Sequence, residues 1–410
     1  MANGKPELLA PAGGRPQLEY AIRYGADAVY LAADKYGMRQ HASNFDLASL
    51  RDAVSYAHRH GVKVYVACNV MMREGDLDDL PAYFEELDDM GADAVIVGDM
   101  GALKLARRHA PHAALHVSTQ ASVSNSEAAL TWMELGADRI ICARESSLAD
   151  VAAMREKLPR ELELECFVHG SMCMAYSGRC IVSDYLAGRS GMTGNCAQPC
   201  RWRYSLVEET RPGQYFPVEE DSRGSYLLNS QDLNMIEHVD ALIAAGVDSF
   251  KIEGRNKKAY YVATVVNAYR KAIDGEPVEE LADELECVAH RPYSTGFYYG
   301  MAHQAVESAR RTSSCSFAGS VVSSYMRDDG LCESVVRVRN AFERTDAIEV
   351  LSPGELGRKI ELLELALLPQ DEFGCFLPEE PCERANRTME LYRVTTREPL
   401  AEGDLLRRRL

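Results

Sequence analysis

The feature that most constrains this chain is a phrase it repeats. It reads Gly25-Ala26-Asp27-Ala28-Val29, Gly91-Ala92-Asp93-Ala94-Val95, Gly136-Ala137-Asp138-Arg139-Ile140 and Gly246-Val247-Asp248-Ser249-Phe250, with Gly61-Val62-Lys63-Val64-Tyr65 as a looser fifth copy. Each copy closes an amphipathic segment with a glycine suited to a left-handed helix C-cap and passes at once into a short apolar run. The reading is helix, tight turn, buried strand. Eight apolar runs, at residues 8–12, 28–33, 64–70, 94–98, 115–119, 140–143, 164–168 and 250–253, alternate with helical patterns such as 47–60, 80–90, 127–135 and 260–272. That count and alternation predict an α/β fold, a (β/α)8 TIM-type barrel rather than an open sheet.

One interval breaks the rhythm. The seventh run ends near His169 and the eighth begins near Ser249, whereas a βα loop usually takes about two to six residues. A cysteine-rich insertion between strands 7 and 8, at about 170–228, is therefore expected on the C-terminal face, where barrels of this kind keep their chemistry. Beyond residue 310 the helical period gives way to short β-like runs at 319–325, 333–338, 347–351, 359–365 and 389–394. A barrel domain at 1–310 followed by a small all-β barrel domain at 311–410 is the expected organisation.

Composition narrows the function classes. The 410 residues are 46% hydrophobic, and no run of about eighteen apolar residues occurs, so no membrane span is expected. The segment Met1-Ala2-Asn3-Gly4-Lys5-Pro6 lacks the apolar stretch of a signal peptide, which reads as cytoplasmic. With 45 basic and 62 acidic side chains the formal charge is −17, so a polyanion must meet a local basic patch rather than the general surface.

Twelve cysteines in such a chain are expected as thiols rather than as a disulfide scaffold. Four of them read Cys173-x6-Cys180-x15-Cys196-x3-Cys200. Structural zinc favours two tight knuckles, and only Cys196 and Cys200 are so spaced; thiolates on an irregular, glycine-rich loop suit a [4Fe–4S] cluster better. Zinc and unliganded buried thiols remain open on spacing alone, and Cys166, within a strand run, reads as core.

The segment Glu165-Cys166-Phe167-Val168-His169-Gly170-Ser171-Met172-Cys173, followed after four residues by Gly178-Arg179-Cys180-Ile181-Val182-Ser183, resembles the signature of the peptidase U32 family. Pro6-Glu7-Leu8-Leu9-Ala10-Pro11-Ala12-Gly13 and Ser249-Phe250-Lys251-Ile252-Glu253-Gly254-Arg255 are similar to further blocks of it. The resemblance implies a barrel whose cysteines ligate a [4Fe–4S] cluster, in a family linked to oxygen-independent hydroxylation of RNA or of quinone precursors. Cys196-Ala197-Gln198-Pro199-Cys200, followed by Arg201-Trp202-Arg203-Tyr204, is most similar to its tRNA-hydroxylating group. That group makes 5-hydroxyuridine at the wobble position of tRNA, with prephenate as the implied oxygen source. Many relatives carry a cysteine where this chain has Asn234, after Ser230-Gln231-Asp232-Leu233, which leaves Cys200 as the fourth ligand the resemblance implies.

Other candidates follow from barrel geometry. Asn69, Asp99, Gln120, Arg144, His169, Lys251, Glu253 and Arg255 fall at predicted strand ends on the catalytic rim. His169, Arg144 and Glu253 are candidate catalytic groups, His169 as an acid/base or as a group behind the cluster. Lys251 and Arg255 are candidate anchors for a small carboxylate, Arg255 as its bidentate partner; neutralisation by Glu253 is the plain alternative. Arg201, Trp202 and Arg203 join cations with an aromatic, as single-stranded RNA recognition requires, although a Trp202 that anchors the insertion would read the same. The terminal Arg407-Arg408-Arg409 reads as a solvated tail.

The reading is thus a tRNA uridine hydroxylase needing tRNA, a small carboxylate donor and an unidentified electron donor. Three other classes stay open: a U32-type peptidase, a hydroxylase of rRNA or of a quinone precursor working with a paralogous partner, and a zinc-bearing RNA-binding scaffold. Neither His-Glu-x-x-His nor Gly-x-Ser-x-Gly occurs, which leaves proteolysis without a complete motif.

Overall fold

A computed structural model describes residues 4–38, 44–173, 179–202, 230–300 and 312–410, together with four two-residue strands between 206 and 225. The chain forms two compact units: Met1–Glu276 with His290–Arg311, and Pro277–Ala289 with Thr312–Leu410.

In the first unit the strands β1 (Glu7–Pro11), β2 (Ala28–Leu31), β3 (Lys63–Cys68), β4 (Ala94–Val97), β5 (Ala114–Val117), β6 (Arg139–Ile141) and β7 (Glu163–Ser171) pair in chain order, all parallel. A short strand β8 (Asp232–Asn234) lies antiparallel on the end of β7, and β9 (Ser249–Ile252) pairs in parallel with both β7 and β1, closing an eight-stranded barrel of β1 to β7 and β9. Helices α1 (Arg15–Arg23), α2 (Leu47–Arg59), α3 (Leu80–Asp89), α4 (Met100–His109), α5 (Ser126–Glu134) and α6 (Leu148–Lys157) separate the first seven strands. The insertion carries α7 (Val182–Ala187); α8 (Val239–Ala244) leads into β9 and α9 (Ala259–Asp274) follows it.

The repeated phrase has two physical parts. Its glycines adopt positive φ, between 72° and 106°, and the next residue's amide reaches back to the helix, as in Ala92 N–H to the Leu87 carbonyl at 3.0 Å and Ala137 N–H to the Trp132 carbonyl at 3.0 Å. The aspartate then crosses to the neighbouring strand. Asp27, Asp93, Asp138 and Asp248 each accept, at 2.8 Å, the backbone N–H of Leu8, Val64, Leu115 and Leu164 respectively. Each thus satisfies an amide at the foot of an odd-numbered strand that a parallel barrel would otherwise leave without a partner. The looser copy has Lys63 in place of aspartate, and there a backbone bond, Lys63 N–H to the Asp27 carbonyl at 3.2 Å, makes the link instead.

Two glycines at the opposite end are required by close approach. A Cβ on Gly13 would overlap the Arg255 carbonyl, and one on Gly170, which also has φ 111°, would overlap the Glu253 carbonyl. The segment 253–255 is clasped between them.

The second unit is an antiparallel sheet with its own core, including Val336, Val350, Val394 and Leu406. Its strands β10 (Cys315–Met326), β11 (Cys332–Val338), β12 (Ile348–Leu351), β13 (Arg358–Ile360), β14 (Glu364–Leu368), β15 (Leu391–Thr396) and β16 (Leu405–Arg409) run in the order β13, β12, β16, β10, β11, β15, β14. The helix α10 (Val278–Leu285) belongs to this unit.

The expected solvated tail is corrected here. Arg407–Arg409 form part of β16, between β10 and β12. Arg407 is 0% exposed, its guanidinium held by Glu284 at 2.6 and 2.7 Å and by Glu349 at 2.8 Å. Two buried carboxylates distant in sequence make a run of arginines compatible with a central strand.

Replacing Asp138 by Ala leaves the Leu115 amide without its acceptor and is expected to lower stability to urea by about 1 kcal/mol, with Asp138→Asn retaining most of it. Equal losses in the two variants would refute the amide role.

Candidate active site

The inward face of the barrel follows from strand alternation. Tyr30, Ala67, Ile96, Ile141, Phe167 and Lys251 come from six strands and line the barrel mouth, with Asn69, Ser118, Gln120, Arg144, Glu253 and Arg255 around it.

One layer deeper the same alternation places Tyr65, His116, Arg139, Glu165 and Ser249. TIM barrels fill this position mostly with branched aliphatics; here it holds ions. Lys251 Nζ donates to Glu165 at 2.7 Å, and Arg139 donates to the same carboxylate at 3.0 Å and to Glu7 at 2.6 Å. Tyr65 hydroxyl donates to Glu7 at 2.6 Å. Burial pulls Lys251 below the usual lysine range, opposed by the charge of Glu165. Burial likewise drives His116 well below its ordinary value, helped by Arg139 and Lys251, so it adds no cation to this layer.

Arg144 ties three parts of the rim together. It donates to the Ser171 carbonyl at the end of β7 and to Glu253, both at 2.9 Å, and its guanidinium lies 4.0 Å from the Phe167 ring centre. Its buried Nε has no partner within the described protein, and neither has Gln120 Oε1. Both atoms belong to residues that line the mouth. Of the trio, Lys251 pairs with Glu165 and Glu253 with Arg144, and the charge of Glu253 also acts on Lys251. Arg255 is buried and reaches Asn44 Oδ1 at 3.4 Å.

Two predicted rim residues lie elsewhere. Asp99 caps α4, accepting the Ala102 amide at 3.0 Å. His169 is buried among the rings of Tyr261, Tyr269 and Tyr293, with Tyr269 hydroxyl 3.5 Å from its Nδ1, and it does not line the mouth. Burial lowers its pKa to about 3, so the imidazole is neutral. Asn234 sits in register with His169 and accepts from Tyr269 at 3.2 Å.

In the insertion, Ser183 accepts the Ala197 amide at 2.8 Å and donates to the Arg189 carbonyl at 2.6 Å, pinning the 196–200 segment to α7. Gly191 packs on the Cys180 carbonyl and 3.9 Å from Cys196 Sγ, measured from an added Cβ, and the Gln198 amide donates to Cys196 Sγ at 3.3 Å. Cys173 is exposed, and Cys180, Cys196 and Cys200 are partly so. Among the described residues, the group of three or more ligating atoms within 4.8 Å of one another is Cys287, Cys315 and Glu349, outside the insertion. Four thiols on one loop, with a backbone amide donating to one sulfur, are by donor type compatible with an iron–sulfur cluster. Trp202 is 42% exposed; the side chain of Arg201 and all of Arg203 lie outside the described residues.

Tyr30, Ser118 and Phe167 at the mouth, and Glu165 beneath Lys251, are not among the residues expected at the site from sequence. The signal for Glu165 was present, since Glu163, Glu165 and Phe167 share one face of β7.

Matches to known proteins cover both units. The model of peptidase family U32 matches residues 13–308, and that of the U32 C-terminal domain matches 313–407. The chain belongs to peptidase family U32. Among its U32 relatives, tRNA hydroxylation protein P1 of Bacillus subtilis is 37% identical over 85% of this chain and 84% of its own. The tRNA hydroxylation protein P of Escherichia coli is 34% identical over 91% and 94%. The 23S rRNA 5-hydroxycytidine C2501 synthase of Escherichia coli is 37% identical over 68% of this chain and 40% of its own.

With an ordinary pKa near 6.5 and a folded value near 3, His169 binds a proton only in the unfolded chain over that window. It therefore removes up to about 1.4 kcal/mol of stability per pH unit as pH falls below 6.5. Its ring-proton NMR signal, assigned by its loss in His169→Gln, is expected not to titrate between pH 8 and 5. A midpoint near 6.5 would place the ring in water.

Proposed function

We propose that this U32 protein carries a [4Fe–4S] cluster on Cys173, Cys180, Cys196 and Cys200 and hydroxylates the wobble uridine of tRNA to 5-hydroxyuridine without molecular oxygen. The observation that carries the reading is the charge of the mouth. Its lining has Arg144, Lys251 and Arg255 against Glu253, and with Glu165 paired to Lys251 from below one cation is in excess, in a chain of net charge −17. Such a site selects a small anion, and the family resemblance makes that anion a carboxylate oxygen donor, prephenate.

Arg255 and Lys251 hold the carboxylate and Arg144 positions Glu253 beside it. Gln120 and Asn69, on the opposite rim, orient its hydroxyl or carbonyl groups. When bound, the cluster supplies one-electron transfer. The uridine leaves its stack to reach the mouth, with Trp202 and the exposed Tyr185 as stacking surfaces and Arg201 and Arg203 as phosphate contacts. Neutral His169 acts from behind, fixing the β7 end through its tyrosine cage.

The peptidase reading has little to stand on. Among the described contacts His169 has tyrosine and asparagine neighbours but no nucleophile. The Cys166 thiol is pushed well up by a hydrogen bond with Cys142 and by burial, which makes it a poor nucleophile. The rRNA reading keeps one specific support, the name of the Escherichia coli rRNA relative.

Nucleoside mass spectrometry of tRNA from cells lacking this protein tests the function: 5-hydroxyuridine should disappear, and an unchanged level would contradict the proposal. In complementation, Arg255→Ala should abolish the modification while tRNA binding persists. Arg201→Ala with Arg203→Ala should weaken tRNA binding and lower its log–log salt slope by about 1.4, the effect of two lost phosphate contacts. Anaerobically purified protein should hold about four irons and lose them in Cys173→Ala, Cys180→Ala, Cys196→Ala or Cys200→Ala, but not in Cys332→Ala. Stoichiometric zinc without iron would overturn the cofactor assignment.

A further inference from the structure

The second unit contains a pair of cysteines that the proposed chemistry does not use. Cys287 follows α10 and Cys315 opens β10; both are buried, and their sulfurs stand 2.6 Å apart, inside van der Waals contact. Ser313 holds the two backbones together, its hydroxyl lying 3.0 Å from the Cys287 carbonyl and 2.7 Å from that of Cys315. The Ser314 hydroxyl donates to Cys287 Sγ at 3.5 Å, and the Ser314 amide to the Glu286 carbonyl at 2.8 Å. The sulfurs are thus fixed against each other by the backbone on both sides.

Their electrostatic surroundings decide what they can do. Glu349 also faces the pair, and two thiols with a carboxylate form a plausible cation cage by ligand type. Both oxygens of Glu349 are already engaged, by Arg407 at 2.8 Å and by Arg409 at 3.0 and 3.2 Å. Two guanidinium charges therefore stand where a metal ion would have to compete. The same charges favour a thiolate. The contact with Cys315, then Arg407, Ser314 and Arg409, bring the Cys287 thiol below its ordinary value against the opposing effect of burial.

We propose that Cys287 and Cys315 form an oxidative modification site, a dithiol that a hydroperoxide converts to an intramolecular disulfide. The Cys287 thiolate attacks one peroxide oxygen, breaking the O–O bond and leaving a sulfenic acid and, for hydrogen peroxide, hydroxide. Cys315 then attacks the Cys287 sulfur, the S–S bond forms, and the sulfenic oxygen departs as water with the proton lost from Cys315. Two thiols and one hydrogen peroxide yield one disulfide and two waters. The oxidant is small enough to reach a buried pair, where a bulky disulfide reagent is not. The bond ties the segment after α10 to the first residue of β10, within one unit, and removes chain entropy from the unfolded state.

The test is peptide mapping of the reduced protein after brief hydrogen peroxide treatment, with free thiols alkylated. A cross-linked peptide pair containing Cys287 and Cys315 is expected, reversible by dithiothreitol, together with a higher Tm of the second unit in the oxidised form. In Cys315→Ser, where no resolving thiol remains, dimedone added together with denaturant should label Cys287. Recovery of both peptides from treated wild type as alkylated thiols would overturn the proposal, as would zinc bound stoichiometrically to the pair in the reduced protein.

Discussion

The bond from each repeated aspartate to the foot of the neighbouring strand is the constraint on which the barrel depends. Parallel strands pair with a slanted ladder whose register is not fixed by any hairpin, and a one-residue slip sends every inward side chain outward. Asp27, Asp93, Asp138 and Asp248 fix the register at four seams, each with a carboxylate on a single amide. With the register set there, alternation alone decides which residues floor the mouth.

That floor is unusual because it is ionic. Glu165 is fully enclosed, and its charge is tolerated because Lys251 and Arg139 both donate to it. Buried ion pairs seldom add stability over apolar packing, and removing one partner is costly. Under the proposed function they have a use: a cation fixed under the mouth by a buried carboxylate is held in one geometry, so an incoming anion would meet an oriented charge rather than a mobile side chain. The glycines at 13 and 170 serve the same end from above, by letting the backbone of 253–255 close over the strand ends.

Much of this was legible in the sequence. Apolar runs mark all eight barrel strands, a glycine cap precedes five of them, and the long interval after His169 marks the insertion, because those signals are local. The charged layer was not, since Glu7, Arg139 and Glu165 come from separate strands and meet only when the barrel closes. For the same reason Arg407 reads as a tail residue until Glu284 and Glu349 are seen beside it. His169 illustrates the opposite error: its position beside the cysteine loop suggests chemistry, while the tyrosines that bury it come from residues 261–293. The passage of Pro277–Ala289 into the second unit leaves no mark either, since α10 has the pattern of any amphipathic helix.

The central claim is that the ion pair beneath the mouth exists to bind a small carboxylate. Replacing both partners together, Glu165→Gln with Lys251→Met, removes the charges without leaving either one unpaired. Anaerobic calorimetry of prephenate binding to this variant and to the parent tests the claim most directly. The account predicts a folded protein that binds tRNA as the parent does and has lost at least tenfold in carboxylate affinity, about 1.4 kcal/mol. Undiminished carboxylate binding by the double variant would contradict it.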